Sequence, residues 1–194
     1  MQVDQMEAVF TLPYSEFRTA NRLAELFPKQ RGFSVLLPSS RTEKGFDLAL
    51  LRQNGVKRRI ITIQVKASRT YGGKPPKRET TQRFAHRTWF QTFSVPAETD
   101  LIFLVGMYPN SEDRTRKSSA AWWQEIILCF WREEMTDFLS QVKTRKGTQD
   151  KFFGFGFDEP TEIYQTHGDQ NREKKDYSAF LLEKRVERIL RSLS

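Results

Sequence analysis

The sequence predicts an α/β protein in which a mixed central β-sheet is flanked by helices. Apolar side chains recur at helical spacing near both ends of the 194-residue chain, as in helices that pack on a sheet. Between them, alternating runs predict strands with one buried face, and a nearly all-apolar run predicts a strand buried on both faces. With 38% hydrophobic and 29% charged residues, residues 1–194 are expected to form a single domain.

The first predicted elements are a helix over 16–27 and a strand over 33–37. Ser15 is the expected N-cap of the helix, and Glu16 lies in its first turn. Glu16 stands at the edge of the apolar stripe, from which it could reach over the sheet. An acid in the first turn is explained equally well by its interaction with the helix dipole.

Two further strands, roughly 46–52 and 58–68, are predicted to form a hairpin. Asn54 and Gly55 lie between them, and both residues tolerate the positive φ angles of a type I′ turn. From residue 61 to 68 apolar and polar side chains alternate strictly, so successive side chains point to opposite faces.

This hairpin would return Asp47 towards Gln64 and Lys66, which share one face of the second strand. An acid, an amide oxygen and an ammonium group on one sheet face can form a site with a metal and a positioned water. The alternative is an ordinary amphipathic hairpin with a solvent-facing Asp–Lys pair, because short motifs often match by chance.

The remaining elements follow from composition and periodicity. Segment 70–82 is predicted to be a loop, and segment 83–93 either a weak helix or an extended strand. Strands are expected at 100–107, 123–131 and 153–157, with helices around 135–142 and 177–193. The aromatic residues of this half could form an interface or stack on bases, although strand spacing favours burial in the core; they are Trp122, Trp123, Trp131, Phe153, Phe155 and Phe157.

The net charge of +8 is concentrated in one stretch of the chain. Between Arg52 and Phe90 eleven basic residues stand against one acid, so this stretch carries +10 and the rest −2. Such a stretch is typical of binding to a phosphate backbone, and a solvated basic surface is the alternative. The predicted nucleic-acid-binding residues are Lys57, Arg58, Arg59, Arg69, Lys74, Lys77, Arg78, Arg83 and Arg87.

Other site classes have little support in the sequence. Cys129 is the only cysteine, so it forms no internal disulfide and is expected in the core. His86 and His167 lack metal-ligand spacing and are expected in surface loops. No apolar run could cross a membrane, and acids stand where a signal peptide needs basic residues, so a cytoplasmic location is expected.

The early helix Glu, the segments GFSV, GFDLAL and IQVKAS, and the Asn-Gly turn together resemble the PD-(D/E)XK nuclease superfamily in its QxK variant. This restriction-endonuclease-like fold includes Holliday-junction resolvases and methyl-directed, Mrr-like restriction enzymes, and it implies an αβββαβ core. The similarity covers roughly residues 14–68. Phe46 stands where the family often has Pro, and Gln64 replaces the more frequent Glu, which should weaken metal binding.

The resemblance implies a metal-dependent DNA endonuclease that hydrolyses phosphodiester bonds. Asp47 and Gln64 would bind Mg²⁺, for which Mn²⁺ should substitute, Lys66 would position or activate the attacking water, and Glu16 would join the site. The implied partner is DNA, and homodimers are common in this fold. Two alternatives stay open, namely a nucleic-acid-binding protein of the same fold with weak or no catalysis, and a protein-interaction module.

Overall fold

The computed structural model describes residues 8–38, 45–72, 84–109, 123–170 and 175–194. Within these ranges the chain forms three α-helices and eight β-strands, with short 3-10 turns at Lys29–Arg31 and Ser178–Phe180. In chain order the elements are α1 (Ala8–Leu26), β1 (Phe33–Leu36), β2 (Leu48–Asn54), β3 (Lys57–Gly72), β4 (His86–Gln91), β5 (Leu101–Pro109), β6 (Trp123–Trp131), α2 (Arg132–Gln141), β7 (Phe152–Phe157), β8 (Tyr164–His167) and α3 (Leu182–Ser192).

The strands form one mostly antiparallel sheet that divides into two parts at β3. In the main sheet the strand order is β1-β2-β3-β5-β6, and β3 and β5 are its parallel pair. In the side sheet the last residues of β3 pair with β4, followed by β7 and β8. The long strand β3 therefore joins both parts, and its polar residues lie close to the division.

Each face of the main sheet is covered by a different layer. On the α1 face, apolar residues of β2, β3 and β5 pack with α1 and α3. On the α2 face, residues of β5 and β6 pack with α2 and with the inner face of the side sheet. The main sheet and the side sheet approach each other closely at Gly106 of β5, where a Cβ would lie only 2.6 Å from Cγ2 of Thr88 on β4.

The α/β class with a mixed sheet is confirmed, but parts of the predicted order are wrong. The helix begins at Ala8 rather than 16, so Ser15 is not an N-cap. Ser15 is buried inside α1, and its carbonyl accepts a 2.7 Å hydrogen bond from the Thr19 hydroxyl. Pro13, two residues before Ser15, also lies in the interior of α1.

The connection from β3 to β5 is where the implied αβββαβ order has its next helix. Its described part, 84–100, contains strand β4 and no helix, which confirms the extended reading of segment 83–93. The alternation of buried and exposed side chains along β4 matches a strand that covers the core with one face. The predicted loop 70–82 begins as strand, since β3 continues to Gly72, and its remainder lies outside the described residues.

Candidate functional site

Asp47 extends the pairing of the β2–β3 hairpin by one residue. Its backbone N–H donates a 2.8 Å hydrogen bond to the Ile63 carbonyl, just before the register pair Leu48–Ile63. Its Oδ2 accepts a 2.7 Å hydrogen bond from the Val65 N–H. The carboxylate is therefore fixed beside the backbone that carries Gln64 and Lys66, as the hairpin predicted.

Gln64 lies on the α2 face with an amide oxygen that makes no hydrogen bond. Its neighbours Ile63 and Val65 are buried on the α1 face, and its own register partner, Ile102, belongs to the α2-face core. The Gln64 Oε1 atom is buried and has no hydrogen-bond partner. Because an unsatisfied buried acceptor is costly, this atom marks a position where a ligand would be favourable.

Lys66 follows Gln64 on the same face and packs against an aromatic ring. Its Nζ lies 5.2 Å from the ring centroid of Phe93, a residue just after β4. In the described part of the chain Lys66 forms no ion pair with Asp47, so the pair expected of an ordinary hairpin is not seen. The ammonium charge thus stays close to the candidate site without being neutralised by its carboxylate.

A second carboxylate near this face has a structural role. Asp100 Oδ2 accepts 2.9 Å hydrogen bonds from both the backbone N–H and the hydroxyl of Thr62, and so fixes the start of β5 against β3. Sequence reasoning missed both Asp100 and Phe93, although an acid placed directly before a buried strand was a usable signal. Because Asp100 is occupied by Thr62, the candidate site uses the side-chain oxygens of Asp47 and Gln64.

Asp47 and Gln64 together could supply a divalent metal with two protein ligands, one carboxylate oxygen and one amide oxygen. No group of three or more His, Cys, Asp or Glu side chains that could hold a metal is found among the described residues. Mg²⁺, however, usually keeps several waters and binds through one or two protein carboxylates together with substrate phosphates. One carboxylate fixed against Val65 and one amide oxygen without a partner on the neighbouring Gln64 fit that requirement.

Glu16 belongs to a different layer from this cluster. It is half-buried in α1, one turn before Ala20, and α1 packs on the α1 face of the sheet. Gln64 and Lys66 point to the α2 face, so the structure does not group Glu16 with them. Its predicted role in the site stays a prediction.

The basic residues do not form one continuous patch. Lys57, Arg58 and Arg59 lie at the hairpin end of β3, and Arg59 is seven residues, or about 23 Å, from Lys66. Arg59 donates a hydrogen bond of 3.3 Å to the Ser192 carbonyl, where it stabilises the C-terminal end of α3.

The other predicted basic residues divide into described and undescribed positions. Arg69 is exposed near the far end of β3, and Arg87 is half-buried in β4. These two are therefore the described residues of the predicted binding set that lie, like Lys66, near the junction of β3 and β4. The remaining four lie outside the described residues: Lys74, Lys77, Arg78 and Arg83.

The aromatic residues proposed for an interface are mostly core. Phe153, Phe155 and Phe157 are fully buried, and Trp131 is only partly exposed. This finding removes the main support for a protein-interaction module built on those phenylalanines. Trp122 and the side chain of Trp123 lie outside the described residues.

Cys129, His86 and His167 all pack within the fold. Cys129 is buried, which confirms the prediction, and burial raises the pKa of its thiol. Both histidines lie in strands rather than loops, so that expectation was wrong. His86 stacks on Phe157, and burial lowers its pKa, whereas His167 Nε2 lies 3.1 Å from Asp150 Oδ2.

A cavity of about 530 Å³ lies elsewhere, between α1, β6 and the start of α3. Four of its charged groups already form two ion pairs. Arg18 binds Glu125 through two nitrogens at 2.7–3.0 Å, and Arg22 lies 2.8 Å from Glu183. We therefore place the candidate site at Asp47, Gln64 and Lys66 rather than in this cavity.

Comparisons with protein-family models, curated proteins and solved structures found no match to this chain. In the described ranges, no helix is both long enough and apolar enough to pass through a membrane.

Proposed function

We propose that this chain is a metal-dependent DNA endonuclease of the PD-(D/E)XK superfamily. The observation that carries the proposal is the buried Gln64 Oε1 atom without a partner, on the strand whose Val65 N–H binds the Asp47 carboxylate and two residues before Lys66. An antiparallel hairpin that delivers an acid beside a QxK triplet is the arrangement that this family implies. A mixed sheet with helices on both faces is compatible with it.

Asp47 and Gln64 are the residues that would hold Mg²⁺ or Mn²⁺. The metal, when bound, supplies a water of lowered pKa and neutralises charge on the scissile phosphate. Asp47 is preorganised for binding because the Val65 N–H fixes one of its carboxylate oxygens and leaves the other available. Gln64 contributes no charge, so we expect metal affinity to depend mainly on Asp47 and on the phosphate.

Lys66 would orient the nucleophile and stabilise negative charge that develops on the phosphate. Its ammonium group lies over the Phe93 ring and is not neutralised by Asp47, so it can interact with an incoming anion. Arg69, three residues further along β3, and Arg87 on β4 would contact flanking phosphates without reading sequence. Binding should therefore weaken steeply as salt concentration rises.

Cleavage of supercoiled plasmid DNA across Mg²⁺ and Mn²⁺ titrations tests this function. Asp47→Asn should abolish cleavage by weakening metal binding, and high Mn²⁺ should restore part of it. Lys66→Ala should lower the cleavage rate by roughly a hundredfold or more, without rescue by metal, because its role concerns the water and the phosphate. Matched controls are Asp137→Asn and Lys184→Ala, which remove exposed charges on α2 and α3.

Rapid cleavage by Lys66→Ala would contradict the assignment of Lys66. Absence of metal-dependent cleavage by the wild-type protein, with DNA binding intact, would contradict the endonuclease and favour the second candidate.

That second candidate is a nucleic-acid-binding protein of the same fold with weak or no catalysis. The small donor set favours it, because one carboxylate and one neutral amide hold a metal less tightly than two carboxylates do. A homodimer and a cytoplasmic location stay predictions under either candidate.

A further inference from the structure

The side sheet exposes aromatic side chains on the face that points away from the core. Along β4, Thr88 and Phe90 are buried, while Arg87 and Trp89 alternate with them and face outwards. Trp89 is 42% exposed, and Tyr71, the register partner of Arg87, is 56% exposed. Large aromatic side chains grouped on an open surface often belong to a binding site.

Two glycines of β7 contribute no side chain to this face. Gly154 and Gly156 are the register partners of Trp89 and Arg87. A Cβ on Gly154 would lie 2.6 Å from the Thr88 carbonyl oxygen, and one on Gly156 would lie 2.5 Å from a ring carbon of Phe84. A larger residue would clash at either position, so β7 has no side chain opposite the indole of Trp89.

Trp89 is held in place by contacts on both sides. Its ring centroid lies 4.6 Å from that of His167, whose Nε2 is 3.1 Å from Asp150 Oδ2. Its backbone N–H donates a 3.1 Å hydrogen bond to the hydroxyl of Ser68 on β3. A ring fixed in this way loses little conformational freedom when a flat ligand stacks on it.

The charge around Trp89 and Tyr71 favours an anionic ligand. Arg87 lies between them on β4, and Arg69 is exposed two residues before Tyr71 on β3. The acids near this face already have partners: Asp150 lies 3.1 Å from His167, Asp158 accepts a hydrogen bond from the Ala85 N–H, and at the opposite edge Glu162 accepts a 3.2 Å hydrogen bond from the Tyr164 hydroxyl. The β3–β4 edge thus combines exposed rings with positive charge.

We propose that this edge binds unpaired nucleotides, with bases stacked on Trp89 and Tyr71 and phosphates near Arg87 and Arg69. Aromatic rings beside basic side chains are the usual chemistry for single strands, since every base has a face that can stack. The inference deepens the proposed function by naming single-stranded DNA as part of the substrate. It rests on nucleic acid as the partner but does not depend on cleavage.

The surface begins close to Lys66 along β3 but faces the other way. Ser68, whose hydroxyl accepts a hydrogen bond from the Trp89 N–H, is two residues beyond Lys66, or about 7 Å along β3. Gln64 and Lys66 face the core that Trp89 points away from, so a strand bound on Trp89 reaches the Asp47–Gln64 site only by passing around the β3–β4 edge. DNA in which a single strand joins a duplex is the substrate that could occupy both places.

Fluorescence anisotropy in EDTA tests the proposal with a labelled oligothymidylate of about 15 nucleotides and a duplex of equal length. Trp89→Ala and Tyr71→Ala should each weaken oligothymidylate binding by roughly tenfold and change duplex binding by less than about twofold. Trp89→Phe should retain most of the affinity, because it keeps a ring. Phe17→Ala, which removes a 59% exposed ring on α1, is the matched control and should bind as wild type does.

Three results would overturn the proposal: no oligothymidylate binding by the wild-type protein, wild-type binding by both alanine variants, or equal losses with Phe17→Ala. Loss of a dimer in sedimentation by Trp89→Ala, with DNA binding unchanged, would instead make this face an interface between copies. Thermal unfolding identifies any misfolded variant, and Tyr71→Ala then decides the outcome. Because EDTA prevents metal-dependent cleavage, failure of the endonuclease would leave this result intact, and failure of stacking would leave the Asp47–Gln64 site intact.

Discussion

Replacing Gln64 by methionine should stabilise the metal-free protein. The Gln64 Oε1 atom is buried without a hydrogen-bond partner, so folding removes it from water without compensation. Methionine has a similar length and carries no oxygen. A stabilising substitution at this position would be expected of a residue kept for function rather than for folding.

The expected gain follows from the cost of that oxygen. An unsatisfied buried acceptor costs roughly 1–3 kcal/mol in mutational series. In a chain of this length each kcal/mol shifts the melting temperature by about 2–4 °C, so Gln64→Met should raise it by roughly 2–12 °C. Gln64→Glu should have the opposite effect without metal, because it adds a second carboxylate to a partly buried position beside Asp47.

Thermal unfolding with EDTA and with increasing Mg²⁺ provides the assay. Mg²⁺ should stabilise Gln64→Glu most, the wild type less and Gln64→Met least, since a bound metal stabilises the folded state in proportion to its affinity. Gln53→Met, at an exposed position on β2, is the matched control for the loss of a glutamine.

A loss of stability in Gln64→Met under EDTA of about 1 kcal/mol or more would refute the reasoning, because it would mean that the amide makes a stabilising bond. Equal stabilisation of all three forms by Mg²⁺ would exclude Gln64 as a ligand.

Two further predictions concern charged residues. Arg69→Ala should weaken DNA binding and lower the slope of log affinity against log salt concentration by about one unit. Arg59→Ala should leave that slope unchanged and lower the melting temperature, because the side chain loses its hydrogen bond to the Ser192 carbonyl. Equal slopes for the two variants in a salt titration would contradict this prediction. Burial opposes ionisation of Glu134, but the Trp131 N–H and two arginines outweigh it and lower its pKa. Its contribution is therefore present above the ordinary pKa of glutamate and is lost as the pH falls through the lowered pKa. Glu134→Gln should therefore cost roughly 1–3 kcal/mol in denaturant unfolding at pH 7 and much less at pH 3, and an equal cost at both pH values would contradict the sign.

Local pattern alone located the centre of the candidate site. The alternation in β3 placed Gln64 and Lys66 on one face, and the Asn54-Gly55 turn set the register that brings Asp47 to Val65. These features depend on neighbours within about twenty residues, where strand period and turn geometry restrict the backbone to few arrangements.

Longer-range features could not be read in the same way. Charge counting grouped Arg59 with Arg87, but β3 carries the first to the end of α3 and the second lies in another strand. Strand spacing favoured burial of Phe153, Phe155 and Phe157, which the structure confirms, but it did not indicate that Trp89 is exposed.

The sequence by itself therefore determined the α/β class, the hairpin and the Asp47–Gln64–Lys66 grouping. Tertiary structure alone decided which layer holds Glu16, which carboxylate is already bonded to Thr62, and which aromatic face is exposed. The physical reason is that periodicity tells which residues share a face, whereas burial depends on what covers that face. In this chain the cover comes from β4 and β7, which reach the main sheet only through pairings and contacts between distant segments.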